Sequence, residues 1–421
     1  MRMDNRTKNG FIQSIMVLAK GSIISQLIVV LTAPIITRLF TPNDIGMYTY
    51  ILSVFFIFMP IINGRYDMSI VTEKKFLNVI ALIKLSLYIC AIASLVISIG
   101  LYFYFEQKFF NSKESFYMSI YLFLLLFSGG VINILNSYNN RHREYKLISS
   151  VIVFRSLAQN IGAVFLGIVK LDLLGLLISY LAGQFLGIKK QSIHLKTHLK
   201  DILKVPKSQL LWVSKVHYRQ PYYSVPAIFL NNFSFFSITF FLGSLYGMAQ
   251  VGFYSISIRI LGLPLSVISG NVSKVFFESA AREYEEEGNF FKSFKKATIF
   301  LVLIAIPMMI IMYTVIPKLT ILIFGENWGE SGVYIKALAL MYSIRFIVST
   351  LTPGLIVAQK QKIELYLQIL FAVSSIFTYF IAKTCSLDIM KYLSMLNISF
   401  SLVYVIYYFV ILKYSKKVKK S

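Results

Sequence analysis

Apolar stretches of about 20 residues alternate along the chain with short polar joints, the spacing a bilayer imposes, because ~20 residues at ~1.5 Å rise cover its ~30 Å hydrocarbon core. Twelve runs can be read: 11–33, 45–64, 79–105, 116–137, 147–169, 173–188, 222–244, 250–272, 296–317, 331–357, 363–382 and 389–412. Each predicts a membrane helix. Ile45, Gly46, Met47 and Tyr48 open the second run as Val251, Gly252, Phe253 and Tyr254 open the eighth, an offset of 206 residues (251 − 45) in a chain of 421. This repeat predicts a duplication: an N-terminal six-helix bundle over 1–188, a basic amphipathic cytoplasmic linker over 189–221, and a C-terminal six-helix bundle over 222–421. With an even number of spans per half the repeats are parallel, and proteins built this way hold their cargo between the halves near the midplane. The expected fold is therefore all-α and integral to the membrane, with twelve transmembrane helices in two pseudo-symmetric bundles around a central cationic cavity.

The cavity is inferred from cations placed inside spans, where a charge costs roughly 2.5 to 3.5 kcal/mol unless it meets water, an anion or a partner. Arg259 sits within Val251–Phe277, and counting at i−4, i+3 and i+7 puts Ser255, Gly262 and Ser266 on its stripe. Arg155 lies inside the fifth run with Gln159 and Asn160 beside it, and Arg345 lies past the middle of the tenth with Tyr342, Ser349 and Thr352 on one face. Lys20 is about 14 Å along the first run, deep for snorkelling. Arg38 either lines the interior or reaches the headgroups, and Arg65 with Asp67 either pairs with other helices or marks the interface. Lys84 and Lys336 are expected to snorkel, and the charged run 281–291 to be a solvated connection.

Composition narrows the class. With 57% hydrophobic residues, 36 Phe and mean hydropathy +0.69, an ordinary soluble domain is excluded. The net charge of +24 does not signal nucleic acid. Most Lys and Arg fall on one side of the alternating topology, including Arg141, Arg143, Lys146, the linker lysines and the tail from Lys413 to Lys420. That bias places both termini in the cytoplasm and brings the excess charge against anionic lipid. Two cysteines, Cys90 and Cys385, give no disulfide or metal frame, and His194 with His198 lacks accompanying ligands, so no metal is expected. There is no Walker motif for ATP. The long first run, interrupted by Lys20 and not followed by a small-residue cleavage site, is not expected to be a cleavable leader.

Six segments carry a family resemblance: TRLFTPNDIG from Thr37, RYDMSI from Arg65, RHREYK from Arg141, YRQPYYSVP from Tyr218, VGFYSISIRILGLPLSVI from Val251 and FGENWGESGVYIKAL from Phe324. Spread over essentially the whole chain, they resemble the Wzx-type oligosaccharide flippases of the multidrug/oligosaccharidyl-lipid/polysaccharide exporter superfamily. The resemblance implies transport of an undecaprenyl-diphosphate-linked oligosaccharide, destined for O-antigen, capsule or another surface polysaccharide, across a bacterial cytoplasmic membrane. It also implies alternating access, H+ or Na+ coupling, no catalytic residues and a neighbouring polymerase. The chain lacks two further helices usual in lipid II flippases. On chemistry, Arg155, Arg259 and Arg345, then Lys20, Arg65 and Arg38, are the groups expected to meet a diphosphate, because guanidinium offers planar paired donors. Gln159, Asn160, Asn231 and Tyr342 would meet sugar hydroxyls, and Asp67 is the candidate for ion coupling. A cation-coupled drug antiporter of the same fold is the alternative; cationic drugs would ask for an acidic interior.

Overall fold

The apolar runs become helices because nothing else closes backbone hydrogen bonds within hydrocarbon. The computed structural model describes residues 5–108 and 111–417, with side chains from residue 16 onward except at 108 and 361. The basic leader and Lys419 and Lys420 lie outside the described residues or side chains. No strand occurs among the described residues, and eleven of the described helices are long and apolar enough to cross a membrane. The twelfth expected span, 45–64, is shorter than anticipated. It forms a helix over Pro42–Phe58 and then a turn, in which Pro60 cannot continue the hydrogen-bond ladder and Gly64 and Arg65 both take positive φ (60° and 62°). A short helix, Tyr66–Thr72, follows.

The chain divides into two compact units, one of residues 1–40 with 51–229, the other of 41–50 with 230–421. The first unit holds α1 (Asn5–Leu39), the end of α2 (Pro42–Phe58, of which 51 onward belongs here), α3 (Tyr66–Thr72), α4 (Phe76–Lys108), α5 (Ser112–Arg141), α6 (Tyr145–Ile168), α7 (Asp172–Gln191), α8 (Leu199–Lys204) and α9 (Lys207–Val216). In it α6 packs between α1 and α7, and α4 against α5. The α6–α7 seam is close because α7 carries Gly175, Ser179, Gly183 and Gly187 at four-residue spacing, the small-residue stripe that lets membrane helices approach. A Cβ at Gly183 would meet Gln159 at 2.4 Å, and one at Gly187 would meet Arg155 at 2.4 Å.

The 189–221 segment does not simply lie on a lipid surface as its pattern suggested. Leu195, Ile202, Val205, Leu210 and Val213 are buried in a cluster with Val79 to Ile83 of α4 and with Ile134 and Tyr138 of α5. Lys84, expected to snorkel, instead donates to the carbonyls of Leu203 and Val205, both at 2.8 Å, satisfying backbone groups at the end of α8. Gln209 donates to Asn78 at 2.7 Å, Tyr66 Oη to the carbonyl of Ser214 at 3.2 Å, and His217 faces Glu73 at 3.1 Å.

The second unit contains α10 (Val225–Tyr246, of which 230 onward belongs here), α11 (Met248–Pro264), α12 (Gly270–Glu287), α13 (Phe291–Thr314), α14 (Ile316–Phe324), α15 (Gly329–Leu351), α16 (Pro353–Val357), α17 (Gln361–Thr384) and α18 (Ile389–Ser415). Helix α15 is its centre, packing on α11, α13 and α18. A π-helical stretch, Leu265–Ser269, joins α11 to α12 just after Pro264, whose missing N–H loosens the ladder there. The charged run 281–291 is solvated at Arg282, Glu285, Glu286 and Glu287 as expected, but it is not a loop. It continues α12 to Gly288 (φ 73°), and Glu283 is buried, accepting the Lys292 and Ser293 amides at 2.8 and 2.7 Å, unbonded donors of the first turn of α13.

The two segments that match in sequence meet in the structure. Thr41–Tyr50, the start of α2, packs in the second unit, where it crosses the start of α11. At that crossing a Cβ on Gly46 would stand 1.7 Å from the Met248 carbonyl oxygen, and one on Gly252 would stand 2.0 Å from that of Pro42. Adding 206 to 46 and 42 gives 252 and 248, so the contact is reciprocal: each repeat offers the same glycine to the same carbonyl of the other.

Candidate functional site

The sequence-predicted cations fall in two separate groups. In the first unit, Arg155 of α6 is half-buried and its Nη2 donates to Gln184 Oε1 of α7 at 2.5 Å, while its Nε is buried with no partner. Gln159, one turn on, donates to the Tyr180 carbonyl at 3.4 Å. Asn160 is committed to packing, its Nδ2 donating to the Ser156 carbonyl at 2.8 Å and its Oδ1 accepting from Thr32 of α1 at 3.0 Å. Lys20 and Arg38 on α1 are exposed. Arg65 donates to the Pro60 carbonyl at 3.5 Å, with Nε buried and unpartnered. Asp67, two residues on, is 4% exposed with Oδ1 unpartnered. The two make no ion pair within 4 Å, so each retains an unmet charge-bearing atom.

In the second unit the structure builds a cavity of about 430 Å³ whose lining includes Phe235 from α10, Tyr254 and Gly262 from α11, Ser266, and Tyr342 and Arg345 from α15. The Arg345 guanidinium lies 4.2 Å over the Phe235 ring and 5.5 Å from that of Tyr342. Tyr254 and Tyr404 stand close enough to act on it electrostatically. The stripe drawn around Arg259 is split: Gly262 and Ser266 line this cavity, Ser255 is buried and bonded to the Gly252 carbonyl at 2.8 Å, and half-buried Arg259 is not among the lining residues. Tyr48 is the phenol that acts on Arg259 electrostatically. Asn231 is half-buried on α10. Lys336 sits over the Tyr313 ring at 5.6 Å.

Phe235, Tyr254 and Tyr404 were not singled out from the sequence, because aromatic residues on three helices look like ordinary core until the helices are assembled around Arg345. Gln184 was likewise missed, although it lies within an otherwise apolar span. Among the described residues, no carboxylate pairs with Arg155, Arg259 or Arg345; the ion pairs involve other groups. No cluster of three metal-ligating side chains occurs among them.

An α-helical multi-pass membrane protein with this order of helices has the fold of the MOP transporter superfamily. A multidrug-resistance MATE transporter in its inward-facing conformation superposes with a TM-score of 0.70 at 14% identity, over 94% of this chain and 100% of that one. The lipid II flippase MurJ, inward closed, gives 0.63 at 12% identity, over 96% and 90%. A MOP transporter from Pyrococcus furiosus reported to have a binding pocket of reverse polarity gives 0.60 at 14%, over 97% and 96%. No curated protein sequence matches significantly. The family model described as polysaccharide biosynthesis protein matches residues 35–332, and the chain belongs to that family.

Proposed function

We propose that this protein carries an undecaprenyl-diphosphate-linked oligosaccharide from the cytoplasmic to the outer leaflet of a bacterial cytoplasmic membrane by alternating access, as a flippase rather than an enzyme. The observation that carries the reading is the set of span-embedded guanidinium groups, Arg155, Arg259 and Arg345, without a carboxylate partner among the described residues. A cation held in a membrane helix without a counter-charge favours an anionic ligand, since an isolated charge is costly there and a diphosphate is equally unable to cross hydrocarbon alone. Membership of a polysaccharide-biosynthesis family supports a sugar-bearing cargo, and the likeness to a lipid II flippase fits a lipid-linked one.

Arg345 with its aromatic surround would take phosphate or an acidic sugar, Tyr342 and Asn231 would meet hydroxyls, and Arg155 with Gln159 would form the corresponding group of the first unit. Asp67, buried with an unsatisfied oxygen, is the group to which we assign coupling to H+ or Na+. Both termini would face the cytoplasm, and a polymerase would consume the flipped unit. The antiporter reading is disfavoured by the sign of these charges. The test is to delete the gene and determine on which face the lipid-linked unit accumulates. Trapping on the cytoplasmic face is expected; undiminished export would refute the proposal.

A further inference from the structure

The linker between α7 and α10 has two apolar faces, and the bundle uses only one. In α9, Leu210 and Val213 are buried, while Leu211, Trp212 and Lys215 point the opposite way. In α8, Ile202 is buried, and Leu199 and Leu203 are exposed, Leu203 to 76%. Trp212 is 48% exposed, and Tyr218, just before the next span, is exposed too. Apolar side chains this exposed, outside any membrane span, are costly in water and mark a contact surface. The charges among them are one-sided: Lys196, Lys200, Lys204, Lys207, Lys215 and Arg219 are all exposed, against the single carboxylate of Asp201.

We propose that this outer face is a docking surface for anionic phospholipid, its aliphatic and indole groups entering the headgroup–acyl boundary and its lysines meeting lipid phosphates. Charge complementarity selects this occupant: anionic leaflets attract basic residues, and Trp and Tyr prefer the interface between water and hydrocarbon. A segment fixed to the first unit by Lys84, Asn78, Tyr66 and Glu73 holds that face in place before lipid arrives, so little ordering is lost on contact. The inference concerns what the linker touches and is independent of the cargo.

The protein has two tryptophans, and Trp328 is only 1% exposed, so Trp212 can report alone. Full-length Trp328→Phe is reconstituted in phosphatidylcholine bilayers with and without phosphatidylglycerol, and Trp212 emission is read against lipids brominated on the acyl chain and against aqueous iodide. Expected are strong quenching by bromolipid, weak quenching by iodide, and a gain in bromolipid quenching with phosphatidylglycerol that is lost on replacing Lys200, Lys204, Lys207 and Lys215 by Gln. Trp212→Phe, which keeps Trp328, supplies the background and a check should Trp328→Phe fold poorly, through the difference from wild type. Iodide quenching without bromolipid quenching would mean that the face meets water. Quenching by neither would mean that protein covers it. Either result overturns the proposal, as does a signal indifferent to phosphatidylglycerol.

Discussion

Replacing Gly46 with Ala tests the reciprocal crossing of the two repeats. The added methyl would stand 1.7 Å from the Met248 carbonyl oxygen, and on Gly252 2.0 Å from that of Pro42. An ordinary carbon–oxygen contact is about 3.3 Å, so the helices must part by about 1.5 Å, and both obstacles are backbone that no rotamer change can move. Overpacking of this kind costs about 1–3 kcal/mol, and the rigid obstacle puts the expectation near 3. Glycine also places an α-hydrogen where the Cβ would be, aimed at the facing carbonyl, a weak contact worth about 0.5–1 kcal/mol that is lost as well. Because one separation relieves both clashes, Gly46→Ala and Gly252→Ala should each destabilise to a similar degree, and the double variant should cost clearly less than their sum. Reversible unfolding in mixed micelles, read by circular dichroism for wild type, both single variants and the double, measures this. Wild-type stability in either single variant, or strict additivity in the double, would refute the crossing.

Three further outcomes follow from the site and the linker. Arg345→Ala should lower export of lipid-linked sugar about tenfold to a hundredfold at normal protein level, the loss of a charged hydrogen-bonding partner, and Arg345→Lys should recover little of it because an ammonium cannot lie flat on Phe235 while forking to a phosphate. Asp67→Asn should leave the protein folded and remove the dependence of export on the ion gradient; an unchanged dependence would clear Asp67 of the role. Burial raises the Glu73 carboxyl, but the Lys75 amide, Asn78, His217 and the Lys74 amide outweigh it and hold it below its usual 4.5. Its folded value being the lower one, its contribution to holding the linker is present above about pH 4.5 and is lost as pH falls through the folded value. Spin labels at positions 75 and 208 should therefore separate on acidification below that point, and should not show this step in Glu73→Gln.

Membrane spans were legible because hydrophobic length is a property of one segment at a time. Eleven long helices came through on that basis, and the second span failed where Pro60 and Gly64, both visible in the sequence, interrupt a run that is still apolar. What a segment does against its neighbours was not legible. The linker pattern of alternating apolar and basic residues is the same whether Ile202 and Leu210 meet lipid or α4, and the docking was decided by partners 120 residues away, such as Lys84. Glu283 looked like one more acid in a charged run until the start of α13 was brought over it.

The same limit explains why Arg345 and Tyr342 could be read together on one helix while Phe235, Tyr254 and Tyr404 on others could not, and that surround is what gives the residue its chemical demand. A guanidinium has a face and an edge. Stacking on Phe235 at 4.2 Å satisfies the face and holds the plane of the group, while its five donors stay in that plane. The Tyr342 ring lies 5.5 Å away, and no carboxylate pairs with the group among the described residues. Aromatic contacts therefore make the cation tolerable within the helix unit without neutralising it. Arg345 lines a cavity that Tyr254 and Ser266 also line. Under the proposed reading such a site would reject a cationic drug by charge and leave a purely apolar one with unpaired donors. A phosphate or acidic sugar would fill the edge and the hydroxyl positions together, which is why the reading turns on the anion and not on the size of the cavity.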